Sequence, residues 1–467
     1  MLLALGLGAC GAPSQSDAGT SGGGAGGGSA GGVTGGGAAG GSAGGAAGDA
    51  GTDELTAAEL AMARGFSPLP AVPPDPTNAF ADDPAAAVLG QRLYFDKTYS
   101  GPLSVGDDGM NGSPGAAGER GKVSCVSCHA SRSGDDDRSR PNNVSLGTGF
   151  GTRNALPVVN SAFYRWTNWG GRFDTQWSLP LAVAENPATM NGSRLAVVHL
   201  LWNKYRADYD AVFPVPLDPA LDPSAPDAAR FPPTGKPAAA GADAGVWEAM
   251  TAGDRAIVNR IYANYGKALA AYTRKLVSRN SPFDRFVGGD RTALGVSAQR
   301  GFRVFLTRGR CATCHSGPFF SDDQFHALLV PQTGPRVPAV DTGRFQDVPP
   351  LLASPFNGAG VFSDDAGAGQ ARLAGLTQSP ALTGQFRTPT LRGLSNSAPY
   401  MHAGQLATLE AVVDFYDVGG GATDGGVKDP LLQPLGLSSQ EKADLVSFLR
   451  ALDGDPVDPA LNVDTSR

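Results

Sequence analysis

A mainly α-helical fold with long Pro/Gly-rich loops is predicted by three features of the chain. Apolar side chains recur at spacings of three and four in several stretches, and strand-type alternation is scarce. The pentapeptide Cys-x-x-Cys-His also occurs twice, as Cys125-Val126-Ser127-Cys128-His129 and Cys311-Ala312-Thr313-Cys314-His315. Two thiols three positions apart on one turn can each form a thioether to a haem vinyl group, while the adjacent imidazole ligates iron. The chain therefore predicts two covalently bound haem c groups, with His129 and His315 as the proximal ligands. The long separation of the motifs in a chain of 467 residues predicts one haem per cytochrome c-like domain.

The N-terminus comes first. Met1 to Ala9 is a short apolar run followed by Cys10, which resembles the end of a bacterial lipoprotein signal and predicts lipidation of Cys10. Haem attachment to Cys-x-x-Cys-His occurs outside the bacterial cytoplasm, so an exported protein is expected, periplasmic or anchored to the outer membrane of a Gram-negative cell. From residue 11 to 54 the sequence is Gly, Ala, Ser and Thr with almost no large apolar side chain, and it cannot offset its ordering entropy. Such a tether spans roughly 35 Å in water.

An N-terminal haem domain is expected over 55–280. Asp83-Pro84 opens a helix that runs to Phe95 and leads into the first haem loop. Ser193 to Phe213 reads as a helix through Leu195, Val198, His199, Trp202 and Tyr205; His199 on that stripe is read as a core histidine rather than a ligand. Residues 214–245 are rich in Pro, Ala and Asp and read as a surface excursion. Asp254 to Ser278 carries the long stripe Ile257, Ile261, Tyr265, Leu269, Tyr272 and Leu276. A C-terminal domain is expected over 281–467, with a helix at Ser297–Leu306 feeding Cys311, a loop region from Val330 to Gly384, and a short helix from Thr408 to Tyr416 capped by Thr408.

Composition excludes several alternatives. The chain carries 37 basic and 44 acidic residues without basic runs, so nucleic acid is not a partner. Four of its five cysteines are used by the two motifs, leaving no pair for a structural disulfide. Zinc would need four converging ligands, and a thioredoxin-like reading leaves the His unexplained.

The stretch Leu89-Gly90-Gln91-Arg92-Leu93-Tyr94-Phe95, then Arg153-Asn154-Ala155 and Trp169-Gly170-Gly171-Arg172, then Phe386-Arg387-Thr388-Pro389-Thr390-Leu391-Arg392 through Ala398-Pro399-Tyr400-Met401-His402-Ala403-Gly404, resembles the bacterial di-haem cytochrome c peroxidases and MauG. The resemblance implies that haem 1, the N-terminal one, reacts with hydrogen peroxide, and that haem 2 passes electrons to or from an outside partner: a small cytochrome, a cupredoxin or a protein substrate. It implies Trp169 between the haems, Arg172 beside it, His402 near haem 2, and a calcium ion held by Asn154 and the carbonyls of Ser397 and Pro399. It also implies a homodimer.

The far face of each haem decides the function. For haem 2, ligand chemistry alone selects Met401, since His/Met is the common electron-transfer pair. The resemblance selects Tyr416, where the peroxidases have Met and MauG has Tyr, and Leu409, Val412, Val413 and Tyr416 share a helical face. A core tyrosine held by a hydrogen bond is the plainer alternative. For haem 1, the position of the peroxidases' blocking His is Leu146, which predicts an open, five-coordinate iron. The positions of the family's Gln and its acid/base Glu are Leu179 and Thr189, neither able to do that work; Glu185 reads as a local structural residue. Trp166 and Trp177 read as packing, and His326 as a surface or propionate-side histidine. Two functions follow: a peroxidase-type oxidoreductase, or a di-haem electron carrier with little peroxide turnover.

Overall fold

The computed structural model describes residues 54–129, 142–239, 241–422 and 426–467. Cys10, the signal-like run and the tether up to residue 53 lie outside them.

The described chain is mainly helical. Its helices are α1 (Ala57–Ala63), α2 (Pro84–Phe95), α3 (Ser178–Glu185), α4 (Arg194–Val212), α5 (Val246–Ala249), α6 (Ala252–Thr273), α7 (Pro282–Val287), α8 (Val296–Leu306), α9 (Arg344–Ala353), α10 (Ala366–Leu373), α11 (Leu409–Asp417) and α12 (Ser439–Arg450). Two short strands, β1 (Phe325–His326) and β2 (Phe386–Arg387), pair antiparallel with Phe325 opposite Arg387.

The helices start where side-chain oxygens can satisfy free N–H groups. Asp83 accepts from Ala85 and Ala86 at the start of α2, Ser193 from Ala196 at α4, and Thr408 from Ala411 at α11. The helix of the long stripe ends at Thr273 rather than Ser278; Leu276 beyond it still lies in the first core, and Asn160 binds Ser278 through both its amide groups.

Two apolar cores form. The first packs α2, α3, α4 and α6 through Leu89, Leu93, Trp177, Leu201, Ile261 and Leu269, joined by Phe356 and Val457 from the C-terminal part. Close packing of α2 on α6 needs Gly90, because a Cβ there would lie 2.0 Å from the Ala268 carbonyl oxygen. The second core surrounds Phe283, Phe302, Phe305, Phe320 and Phe448, and α1 contributes Ala63 to it. Edge contacts such as Phe283 on Phe448, with centroids 5.5 Å apart, are worth about 0.5–1.5 kcal/mol each beyond burial.

Two segments differ from the sequence reading. The excursion at 214–245 is not merely superficial: Leu217, Leu221 and Phe231 are buried in the first core. The loop region at 330–384 contains α9 and α10. The buried positions of α9 are Arg344, Asp347, Val348 and Leu351, a helical spacing half made of charged residues and interrupted by Pro349 and Pro350, so no apolar stripe announces it. Helix α12 was also unanticipated, although its capping box, Ser438 with Glu441, is legible in the chain.

Candidate functional site

Both Cys-x-x-Cys-His motifs lie on short helical turns, Cys125–Ser127 and Cys311–Thr313. In each, the His backbone N–H donates to the carbonyl of the first Cys at 2.9 Å, which folds the imidazole back over the turn. Among the described residues, none of Cys125, Cys128, Cys311 and Cys314 is in a disulfide.

Around the second motif lies a cavity of about 730 Å³ with mainly apolar walls. His315 lines it. Its Nδ1–H donates to the Phe320 carbonyl at 3.0 Å, which leaves Nε2 as the lone-pair nitrogen, the arrangement an iron-ligating imidazole needs. Leu409, Val412, Val413 and Tyr416 of α11 line the same cavity. Burial raises the Tyr416 phenol, and the Cys311 and Cys314 thiols lie close enough to add to that effect. No hydrogen bond to the Tyr416 hydroxyl forms among the described residues, unlike the buried Tyr262, whose hydroxyl donates to the Leu181 carbonyl at 2.6 Å. Met401 also lines the cavity, on a backbone with φ +71°.

His402 is buried and stacked on Phe386, with centroids 3.9 Å apart. Gln405 Oε1 accepts from the Ala403 N–H, so its amide nitrogen donates to His402 Nε2 at 3.2 Å; Gln332 Nε2 donates to the same atom at 3.0 Å. Nε2 is thus an acceptor and the proton sits on Nδ1. Burial lowers this group to about 4, so the ring is neutral.

Trp169 lines the cavity, and its indole N–H donates to the Asn154 carbonyl at 2.7 Å. Asn154 in turn donates its backbone N–H to the His402 carbonyl and its side-chain amide to the Pro399 carbonyl, each at 2.8 Å. Asn154 Oδ1 is buried with no hydrogen-bond partner, and Ser397 and Pro399 line the same wall. An unpaired amide oxygen beside carbonyl-bearing loop residues fits a hard cation such as calcium.

Charged side chains fix this belt from behind. Arg153 forks onto Asp341 through Nε and a terminal nitrogen, and onto Asp347 through the other, all at 2.7 Å. Arg344 donates to the Gly170 carbonyl at 3.1 Å, and burial lowers its guanidinium to about 10. The two glycines after Trp169 are sterically required: a Cβ on Gly170 would lie 2.0 Å from Asp347 Oδ2, and one on Gly171 2.4 Å from the Arg344 guanidinium. Arg172, in contrast, is exposed and does not line the cavity.

At the first motif, burial lowers His129 to about 4, which keeps it neutral, and Tyr94 donates to its carbonyl at 2.5 Å. Leu146 is fully buried, and its carbonyl accepts from Cys128 Sγ at 3.7 Å. The chain has five histidines. The three outside the motifs are all engaged elsewhere: His199 Nε2 on the Phe231 and Pro232 carbonyls, His402 as above, and His326 between Asp429 at 2.6 Å and Asp322 at 3.0 Å. His326 lines the haem 2 cavity, and the Cys314 sulfur and then the two carboxylates raise it to about 10 against burial.

Thr189 spends its hydroxyl on the Val183 and Asn186 carbonyls, and Glu185 is clamped by Arg194 through three hydrogen bonds. Leu179 is half-buried on α3. Trp166 packs on Phe325 under Arg344, and Trp177 is fully buried with its indole N–H on Thr77 Oγ1. The sequence reading gave no role to Arg153, Asp341, Arg344 and Asp347; only the place of Arg153 beside Asn154 in the motif Arg153-Asn154-Ala155 hinted at one of them.

The family model described as di-haem cytochrome c peroxidase matches residues 84–292. Among relatives, the chain is similar to cytochrome-c peroxidase IdrP1 of Denitromonas iodatirespirans, with 32% identity over 85% of this chain and 89% of that protein. It is similar to the methylamine utilization protein MauG of Methylorubrum extorquens at 30% identity, over 80% of this chain and 79% of that one. Among solved structures, a MauG-like protein associated with microbial copper homeostasis shares the fold at TM-score 0.57 and 23% identity, covering 85% of this chain and 98% of that one. The diheme peroxidase BthA of Burkholderia thailandensis does so at TM-score 0.56 and 20% identity, over 83% and 91% of the two chains. With both haem-attachment motifs, the cavity behind the second and a relative of this identity across most of its length, the chain belongs to the di-haem cytochrome c peroxidase and MauG family.

Proposed function

We propose that the protein is an exported, MauG-type di-haem peroxidase, with hydrogen peroxide reacting at the haem held by Cys125, Cys128 and His129 and electrons exchanged with a redox partner through the haem held by Cys311, Cys314 and His315. The haems, when bound, supply the electron-transfer and peroxide chemistry. The observation that carries the reading is the wall of the second cavity, where His315, Tyr416, Met401, His402 and Trp169 converge.

Each residue has a definable task. The Phe320 carbonyl orients His315 and makes Nε2 a better donor to iron. Tyr416 would hold the iron of haem 2, a role supported by its place on the cavity wall with no hydrogen-bond partner among the described residues, and as tyrosinate it would favour oxidised iron over easy reduction. Trp169 relays electrons, its indole oriented by Asn154. Asn154, Ser397 and Pro399 hold calcium. His199, His326 and His402 are each committed to other partners, which supports a haem 1 that would be held by His129 without a second imidazole and would be open to peroxide. Arg172, being exposed, is assigned to the protein surface rather than to the reaction. Export with lipidation of Cys10, and a homodimer, complete the proposal.

A second reading rests on a specific observation. Glu185 and Thr189 are both fully engaged in local hydrogen bonds, so neither delivers a proton to bound peroxide, and general acid catalysis is worth roughly 10² to 10⁴ in rate. A carrier with slow peroxide turnover has the same architecture. Stopped-flow mixing of the matured protein with peroxide separates the two: a spectral change within milliseconds supports the peroxidase, and slow bleaching alone refutes it.

A further inference from the structure

Arg387 is a buried cation without adequate compensation. It is 2% exposed, lies with its guanidinium 3.4 Å above the Tyr164 ring, and lines the haem 2 cavity. Among the described residues its Nε has no partner, its guanidinium makes one hydrogen bond, a long 3.4 Å contact to the carbonyl of the next residue, and the Asp323 carboxylate is 3.9 Å away. Burial holds Asp323 up at about 6 in spite of that arginine, as expected of a loose pair.

Two other arginines of this region are fully compensated, while Arg344 is held, among the described residues, only by the Gly170 and Gly171 carbonyls. Arg153 forks onto two carboxylates, and Arg392 makes two bonds to Asp284 and two more to backbone carbonyls. A guanidinium presents five donors in a planar fork matched to a carboxylate, and burying it unpaired is costly. A carboxylate entering the cavity that Arg387 lines would complete its fork.

We propose that Arg387, backed by the Tyr164 ring, is the seat of a haem 2 propionate, an anion site on the wall of the cavity. The inference rests on the assignment of haem 2 to Cys311, Cys314 and His315. The propionates are the ionised groups of a haem c, and the thioethers at Cys311 and Cys314 fix the opposite edge. A cation at a propionate favours reduced iron, so Arg387 raises the potential of haem 2 against the opposing effect of a Tyr416 ligand.

The test uses the full, matured protein and its Arg387→Met and Arg387→Lys variants. Haem is counted by pyridine haemochrome absorbance and intact mass, potentials by spectroelectrochemistry, and propionate hydrogen bonding by the propionate bending band in resonance Raman spectra. Arg387→Met is expected to keep two haems, shift the haem 2 potential to more negative values with haem 1 unchanged, and move the haem 2 propionate band. Arg387→Lys restores the potential and not the band, since it keeps the charge and loses the fork. A two-haem Arg387→Met protein with unchanged potential and band overturns the proposal. Should that variant fail to mature, an unchanged band in Arg387→Lys overturns it equally. The underlying assignment fails separately, if the Cys311→Ala, Cys314→Ala double variant still carries two covalent haems.

Discussion

Replacing Arg153 by Met removes three charge-assisted hydrogen bonds of 2.7 Å and leaves two buried carboxylates without their cation. Asp341 keeps the Gly343 N–H at 2.9 Å and Gln346 Nε2 at 2.7 Å, whereas Asp347 keeps no other side-chain hydrogen bond among the described residues. Breaking a buried pair in this way costs about 3–5 kcal/mol. Protonation sets the ceiling: from an ordinary pKa near 3.9, neutralising one carboxylate costs about 4 kcal/mol at pH 7 and about 1.5 kcal/mol at pH 5. In the native protein, burial raises Asp341 but Arg153 more than offsets it, so the group is held below its usual range; its stabilisation is present above the unfolded pKa and is lost only as pH falls through the lower folded value. In the variant burial alone acts on Asp341 and raises it, so its penalty is relieved on acidification. The gap between the proteins should thus be about 3–5 kcal/mol at pH 7 and shrink to about 1–2 kcal/mol at pH 5. Urea unfolding followed by far-ultraviolet circular dichroism, on samples with equal haem content, measures both. A loss under about 1 kcal/mol at pH 7, or an equal loss at the two pH values, would refute the clamp.

Other consequences are as definite. Tyr416→Met should raise the haem 2 reduction potential and alter its charge-transfer bands, and an unchanged spectrum would return Tyr416 to the status of a packing residue. Thr189→Glu puts a carboxyl where the family's acid/base lies and should raise peroxide turnover by on the order of 10²-fold, read by steady-state oxidation of a reduced cytochrome; no gain means that proton delivery is not limiting. His199→Leu should cost about 1–2 kcal/mol in urea unfolding, through the lost bond to the Phe231 and Pro232 carbonyls, and leave both haem spectra untouched. A changed haem spectrum would make His199 a ligand after all.

Legibility tracked the range of the interactions involved. The motif cysteines and histidines, and the helices α2, α4, α8 and α11, were readable because thioether spacing, caps and apolar periodicity are local. Tyr416 could be placed on an inward face for the same reason. Helix α9 was not readable: its buried face is Arg344, Asp347, Val348 and Leu351, and a buried arginine declares itself only when the carboxylate or carbonyl that receives it is known. Arg172 illustrates the converse, since a motif position next to Trp169 pointed to the site while the backbone turned the side chain to solvent.

The family resemblance added the expectation of unequal haems, with Leu146 where a blocking His would stand and Tyr416 where a Met would; the sequence by itself determined that this is a mainly helical, two-haem redox protein. Those properties need only residue identity at fixed spacing. Tertiary structure decided what surrounds the irons. It committed His199, His326 and His402 to the Phe231 carbonyl, Asp429 and Gln332, spent Glu185 on Arg194, set the Arg153 clamp behind Trp169, and left Arg387 on the cavity wall with Asp323 3.9 Å away as a loose partner. All but the Glu185–Arg194 pair, nine residues apart, join residues far apart in sequence, and their energy depends on burial and on who else is buried there, which no local pattern carries.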